Sequence, residues 1–246
     1  MDRTDCVKRI IETSYLNKEG HIASALSVLD AIIVLFEKMS PEDEFVLSKG
    51  HASLGLYVVL LKKGIITSKQ FYSFGQFDSI LGGHPSSHKV PTVKISTGSL
   101  GHGMPFAVGV ALAKKIKKEN GQVYCVIGDG EANEGTIWES ALIANTYRLN
   151  NLTVLMDYNS SGERAIKMGD CVGKFSSFGW KSSSTDGHDI KLISQALNVD
   201  SDSPKFIQLN TIKGKGCKTM ENNPEWHHKT PANDIEYQNV IEDVYS

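Results

Sequence analysis

Two polar turns at the ends of apolar runs carry residue types that could do chemistry. Gly128-Asp129-Gly130 follows the apolar run 123–127, and Asp157, Asn159 and Ser160 follow a second apolar run, 152–156. A carboxylate, a side-chain amide oxygen and a nearby carbonyl are hard oxygen donors suited to Mg²⁺, which keeps the rest of its octahedron for phosphate oxygens and water. The glycines flanking Asp129 let backbone approach a diphosphate, and the helix start that follows offers free N–H groups. The chemistry suggested is a metal-diphosphate site. Gly-Asp-Gly is also a common turn, so these residues alone leave an ordinary βα turn equally open.

The elements that must position these groups are legible from periodicity. The β-branched run 123–127 stops at a glycine, as a buried parallel strand does at its carboxyl end. Residues 134–149 place Ile137, Trp138, Ala141, Leu142 and Leu149 on one side of a helix, and 152–156 reads as a second strand. Strand, helix and strand in that order form a right-handed βαβ unit, which sets Asp129 and Asn159 at one edge of one sheet, where open α/β folds bind ligands. Further helices are expected over about 4–17, over 26–39 on the face Leu26, Leu29, Ile33 and Phe36, and over 51–63. The segment 104–113 is apolar enough to read as a buried helix, and Lys114, Lys115, Lys117 and Lys118 read as its solvated carboxyl end. Residues 45–47 and 205–210 read as strands, and Asp186-Gly187-His188-Asp189 as a helix cap, with His188 structural. Alternating helices and strands argue an α/β fold: a parallel sheet flanked by helices.

Composition narrows the classes. The 246 residues are 40% hydrophobic and show no repeat, low-complexity tract or linker, so a single domain over 1–246 is expected. With 26 Lys and Arg against 28 Asp and Glu, the formal charge is −2, and no basic stripe points to nucleic acid. No apolar run reaches the length of a membrane span, and the start Met1-Asp2-Arg3-Thr4-Asp5 is no signal peptide. Four cysteines without C-x-x-C spacing fit a reducing cytoplasm.

Gly-Asp-Gly-Glu-Ala-Asn-Glu-Gly at 128–135, followed by Asp-Tyr-Asn at 157–159, resembles the thiamine diphosphate motif of the transketolase family. The resemblance continues through Gly-His-Ile at 20–22, Leu-Ser-Lys-Gly-His-Ala at 47–52, Gly-Gly-His-Pro at 82–85 and Ser-Thr-Gly-Ser-Leu-Gly at 96–101. Asp-Gly-His-Asp at 186–189, Lys-Gly-Lys-Gly at 213–216 and Met-Glu-Asn-Asn-Pro-Glu-Trp-His at 220–227 complete it in the family's order. It spans nearly the whole chain and only the cofactor-diphosphate third of a full transketolase.

The resemblance implies a thiamine diphosphate-binding fold, with thiamine diphosphate and Mg²⁺ or another divalent cation as cofactors. It implies Asp129, the Asn159 side chain and the Ser161 carbonyl as metal ligands. Gly130 and His51 match contacts to the diphosphate, and Gly98 and Leu100 match a glycine loop whose backbone passes the cofactor. His21, His84 and His227 match the histidines that polarise donor oxygens and move protons, His227 also reaching the cofactor. Glu134, counted with the cofactor-binding residues, matches a carboxylate that links the two active sites across the dimer, and Glu139 matches another buried glutamate at that interface, although glutamates on a helix are ordinarily just exposed. Without the resemblance His51 reads as a helix cap, His21 as a solvated loop residue, and 213–216 as a basic loop serving phosphate or merely connecting.

Several positions depart from the family pattern. Ala23-Ser24 stand in place of two glycines, His102 in place of a glutamine and His228 in place of a glycine. Glu163 falls where an apolar residue often packs on the thiazolium. The glutamate that activates the cofactor and the arginines that hold substrate phosphate belong to other domains of the family. The expectation is therefore the amino-terminal subunit of a split transketolase, needing a complementary pyrimidine-binding subunit in an α2β2 assembly and transferring a two-carbon ketol unit from ketose to aldose. The alternatives are a subunit of another thiamine diphosphate-dependent carboligase or decarboxylase, and a subunit that holds cofactor without turnover.

Overall fold

The computed structural model describes residues 1–164 and 166–245; Ala165 and Ser246, within the single domain expected over 1–246, lie outside the described residues. Its strands are β1 (Glu44–Leu47), β2 (Val123–Gly128), β3 (Leu152–Tyr158), β4 (Lys181–Asp186) and β5 (Lys205–Asn210). They form one sheet in the order β1-β2-β3-β5-β4, with each described pairing parallel. The helices are α1 (Arg3–Asn17), α2 (Ile22–Lys38), α3 (Ser53–Lys62), α4 (Ser68–Tyr72), α5 (Gly103–Lys117), α6 (Gly135–Thr146), α7 (Cys171–Ser177), α8 (Ile190–Leu197) and α9 (Asp234–Glu242). Among the described residues no helix is long and apolar enough to cross a membrane.

The chain divides into two compact units. A sheet unit comprises Val34–Lys49 and Ser99–Thr211 and contains all five strands with α5 to α8. In it, Val123, Cys125, Val126 and Ile127 of β2 and Leu152, Val154, Leu155 and Met156 of β3 have no exposed surface, as a parallel sheet covered on both faces requires. The register pairs Gly128 with Asp157, so the carboxyl ends of β2 and β3 are level. Asp129 and Asn159 emerge from that shared edge, as expected. Asp189 caps α8 by accepting from the Lys191 and Leu192 N–H groups, also as expected.

A helical unit comprises Met1–Ile33, Gly50–Gly98 and the chain from Ile212 onward, with α1, α3, α4, α9 and the first part of α2. Its charged interior contact is Arg3 on Asp30, Nε to Oδ1 at 2.7 Å, with the same guanidinium donating to Lys215 O at 3.1 Å. Gly20 takes φ 117°, and a Cβ there would lie 2.7 Å from Leu54 Cδ1, so the turn before α2 needs glycine for both conformation and space.

Several expectations need correction. Helix α2 begins at Ile22, not near Leu26, because Ala23, Ser24 and Ala25 are small enough to be wholly buried. It is covered on every side down to Leu35, so the four-residue face is too narrow a description. Helix α5 is apolar but not fully buried, with Gly109 and Ala113 exposed, and Lys114 is buried instead of solvated. The Lys114 ammonium donates to Glu42 O at 2.7 Å and Asn120 O at 3.0 Å, which satisfies it away from water. On α6, Leu142 is 53% exposed and shares that side with Ile143 and Tyr147. Strand β4 and helices α4, α7 and α9 add to the elements expected from periodicity.

Candidate functional site

In the sheet unit, Asp129, Gly130, Asn159 and Ser161 come together where β2 and β3 end. Asp129 is buried, and its Oδ1 accepts from the Gly130 N–H at 2.7 Å. Among the described residues its Oδ2 has no hydrogen-bond partner. Burial pushes this carboxyl upward, and repulsion from Asp157 adds to that; the Gly162 and Gly130 N–H groups and the Lys49 charge oppose it. A buried carboxylate oxygen without a donor is the kind of orphan that a cation would satisfy.

Asn159 is oriented by its neighbours. Its Nδ2 donates to Asp157 Oδ2 at 3.2 Å, and its Oδ1 accepts from the Ser161 N–H at 3.1 Å, which fixes the amide and keeps Ser161 in the same turn. Asp157 is wholly buried, forms an ion pair with the Lys49 ammonium, and accepts from the Thr211 hydroxyl. Glu131 is buried beside this edge. It accepts from the Ser48 hydroxyl, from Gly101 N at 2.9 Å and from Gly128 N at 3.2 Å, and so ties the ends of β1 and β2 to the loop before α5. Burial raises its carboxyl, and those hydrogen bonds hold it down.

Leu100 and Glu134 lie elsewhere in the sheet unit. Thr136 donates its hydroxyl to Gly101 O at 2.7 Å, and a Cβ at Gly101 would lie 2.6 Å from Glu134 Cβ, so the loop carrying Leu100 packs on the start of α6. Glu134 and Glu139 are both exposed. Glu163, expected where an apolar side chain packs, accepts from the Tyr158 hydroxyl.

The helical unit gathers His21, His51, His84 and His227, with Gly98 beside them. The His21 ring centroid lies 5.3 Å from that of His51, 6.5 Å from His84 and 5.6 Å from His227. A Cβ at Gly98, which has φ 146°, would meet His84 Cγ and Cδ2 at 3.2 Å, and one at Gly50 would meet Thr97 Oγ1 at 2.7 Å. The 96–98 loop therefore lies on the residue before His51 and on His84. His21 Nδ1 is 3.0 Å from His227 O, and a carbonyl only accepts, so Nδ1 carries the proton and Nε2 is the acceptor. Burial pushes the His21 imidazole down to about 4, against that hydrogen bond. His21 is thus neutral at ordinary pH. The Lys213 ammonium donates to His227 Nδ1 at 2.6 Å, which leaves Nε2 of a neutral His227 as a donor. Lys213 is buried, so 213–216 is no merely flexible basic loop. The His228 ring lies against that of His21, centroids 4.4 Å apart and tilted by 32°, and faces Glu19 at 3.8 Å.

Sequence reasoning missed Lys49, Glu131 and Lys213, and the supporting role of Asp157. Each is a charged residue next to an apolar run or a glycine, a position that by itself does not tell a buried, partnered charge from a solvated one. Among the described residues no group of three His, Cys, Asp or Glu side chains is placed to hold a metal, so the imidazoles do not form a metal centre. One carboxylate, one amide and one carbonyl form a different donor set, and the orphaned Asp129 Oδ2 and the fixed Asn159 Oδ1 fit a hard cation.

The family described as transketolase, thiamine diphosphate binding domain, matches residues 7–240. One of the subunits of the apulose-4-phosphate transketolase of Phocaeicola vulgatus is 34% identical over 255 aligned positions, covering 96% of this chain and 90% of that protein. Human transketolase is 32% identical over 243 positions, covering 92% of this chain and 39% of the human protein. A solved Pichia stipitis transketolase variant superposes with a TM-score of 0.87 at 26% identity, over 97% of this chain and 40% of that one. The chain belongs to the transketolase family, as its thiamine diphosphate-binding domain, and matches over most of its length a relative that is itself named as a transketolase subunit.

Proposed function

We propose that this chain is the diphosphate- and Mg²⁺-holding subunit of a two-subunit transketolase, transferring a two-carbon ketol unit from a ketose or ketose phosphate to an aldose or aldose phosphate. The observation that carries the reading is the shared strand edge at which, among the described residues, Asp129 Oδ2 is buried without a hydrogen-bond partner and the Asn159 amide is held by Asp157 and the Ser161 N–H. Asp129, Asn159 and the Ser161 carbonyl hold the cation, and Gly130 and His51 bind diphosphate oxygens. Gly98 and Leu100 present backbone to the cofactor. When bound, thiamine diphosphate supplies the nucleophilic carbon and the electron sink.

The histidines supply proton handling from this side. His21, neutral with Nε2 as acceptor, takes a hydrogen bond from a donor hydroxyl. His227, with Nδ1 occupied by Lys213, offers Nε2–H to an oxygen on which negative charge develops. His84 binds the donor's hydroxyls. The whole chain, 1–246, acts as one cofactor-binding domain, in the cytoplasm, where its four free cysteines stay reduced. The complementary subunit docks near Glu134 and Glu139, and the exposed Leu142 and Ile143 on α6 and Tyr147 just after it support an interface there, in an α2β2 assembly.

The test is reconstitution. The chain and its complementary subunit, mixed with Mg²⁺ and thiamine diphosphate, are expected to transfer a ketol unit to at least one member of a broad aldose panel. The donors include apulose 4-phosphate, for which a relative is named. Absence of transfer across the panel, or release of carbon dioxide from a 2-oxo acid instead, would sink the reading.

A further inference from the structure

The turn after Asn159 contains a glycine to which none of these roles applies. A Cβ at Gly162 would lie 2.5 Å from Gly130 N, 2.6 Å from Gly130 Cα and 2.9 Å from Asp129 C. The φ of Gly162 lies outside the left-handed region, so its backbone suits any residue and only the space is denied. The chain reaches this contact through Ser160, which takes the left-handed φ of 61°, and through the Ser161 N–H bonded to Asn159 Oδ1. Bare backbone from the turn after β3 therefore rests on bare backbone from the turn after β2.

We infer that Gly162 is a positioning residue of the metal-diphosphate site: its close approach to Asp129-Gly130 sets the gap that Asp129 Oδ2 and Asn159 Oδ1 must span to share one cation. The inference rests on the proposed function. Mg²⁺ binds at about 2.0–2.1 Å and tolerates little departure from octahedral geometry. A methyl group placed 2.5 Å from Gly130 N must move by roughly 1 Å to reach ordinary van der Waals contact, which is 3.4–4 Å. That shift exceeds what the cation accepts. Gly130 differs, since a Cβ there meets only Gly162 Cα at 3.5 Å, an ordinary contact.

The test is Gly162→Ala in the reconstituted two-subunit complex, read as the Mg²⁺ concentration at which half the thiamine diphosphate is retained. That concentration is expected to rise by about 10-fold to 100-fold, with the thermal unfolding midpoint of the cofactor-free chain within a few degrees of the parent. Asp129→Asn combined with Gly162→Ala is expected to retain cofactor no worse than Asp129→Asn alone, because the glycine acts through that carboxylate. Unchanged retention in Gly162→Ala, additive losses in the double variant, or loss of the cofactor-free fold would each overturn the inference. If Asp129→Asn also retains cofactor normally, the metal-site reading itself fails; if only Gly162→Ala does, that reading stands without this glycine.

Discussion

Around Asp129 the carboxylates are buried and most of their polar atoms are bonded to neighbours, whereas around His21 the polar groups are imidazoles outside the sheet, with His84 and His227 exposed. The strand-edge cluster takes its geometry from parallel pairing: Gly128 opposite Asp157 fixes both turns, and Lys49, Asp157 and Asn159 form a chain of buried contacts. The histidine cluster takes its geometry from four separate short segments and from the bonds that join His21 to His227 O and Lys213 to the His227 ring. Both regions bury a permanent charge, Lys49 at the strand edge and Lys213 beside His227, and each charge meets a side-chain partner. The imidazoles are held by chain outside the sheet, where local hydrogen bonds take the place of strand register.

Substitutions should separate the two regions. The largest effect is expected for Lys49→Met, which strands the wholly buried Asp157 without its cation; stability should fall by about 3–5 kcal/mol, seen in denaturant unfolding. Loss below about 1 kcal/mol would show that the strand edge does not depend on this buried pair. Next comes Asp129→Asn in the reconstituted complex, expected to weaken Mg²⁺-dependent cofactor retention by on the order of 100-fold. The cofactor-free chain should be no less stable, since burial disfavours the charge that the variant removes.

His84→Ala should act in the opposite sense. Turnover is expected to fall by about 100-fold in steady-state kinetics while cofactor retention and unfolding stay near the parent, because the side chain is exposed. A parallel loss of cofactor would merge the two regions into one functional unit. The smallest effect concerns pH. With His21 at about 4 when folded against 6.5 otherwise, the unfolded chain binds the extra proton between those values, so stability from this group falls as pH drops from 6.5 toward 4. Unfolding midpoints at about pH 7 and about pH 5 should show a smaller acid loss for His21→Asn than for the parent; equal losses would place the acid sensitivity elsewhere.

The sequence disclosed the edge more fully than its supports. The apolar runs before Gly128 and Asp157 revealed β2 and β3, because a covered parallel strand must be continuously apolar. Asp129 and Asn159 follow directly. The partners of Lys49, Glu131 and Asp157 were hidden, since nothing local distinguishes a charge that finds a distant partner from one that meets water. Leu142 misled for a related reason: helical period shows that a face is apolar but not whether this chain covers it. Strand β4, Lys-Ser-Ser-Ser-Thr-Asp, lacked the apolar alternation that marks strands and owes its form to pairing with β5.

That same strand has a consequence for how copies of the molecule meet one another. Its hydroxyl-rich, exposed residues sit at the last position of the sheet, and a short polar border of this kind discourages a foreign strand from adding on. Growth of the sheet into a neighbouring molecule is disfavoured on that flank, which guards a crowded, newly made chain against fibrous association.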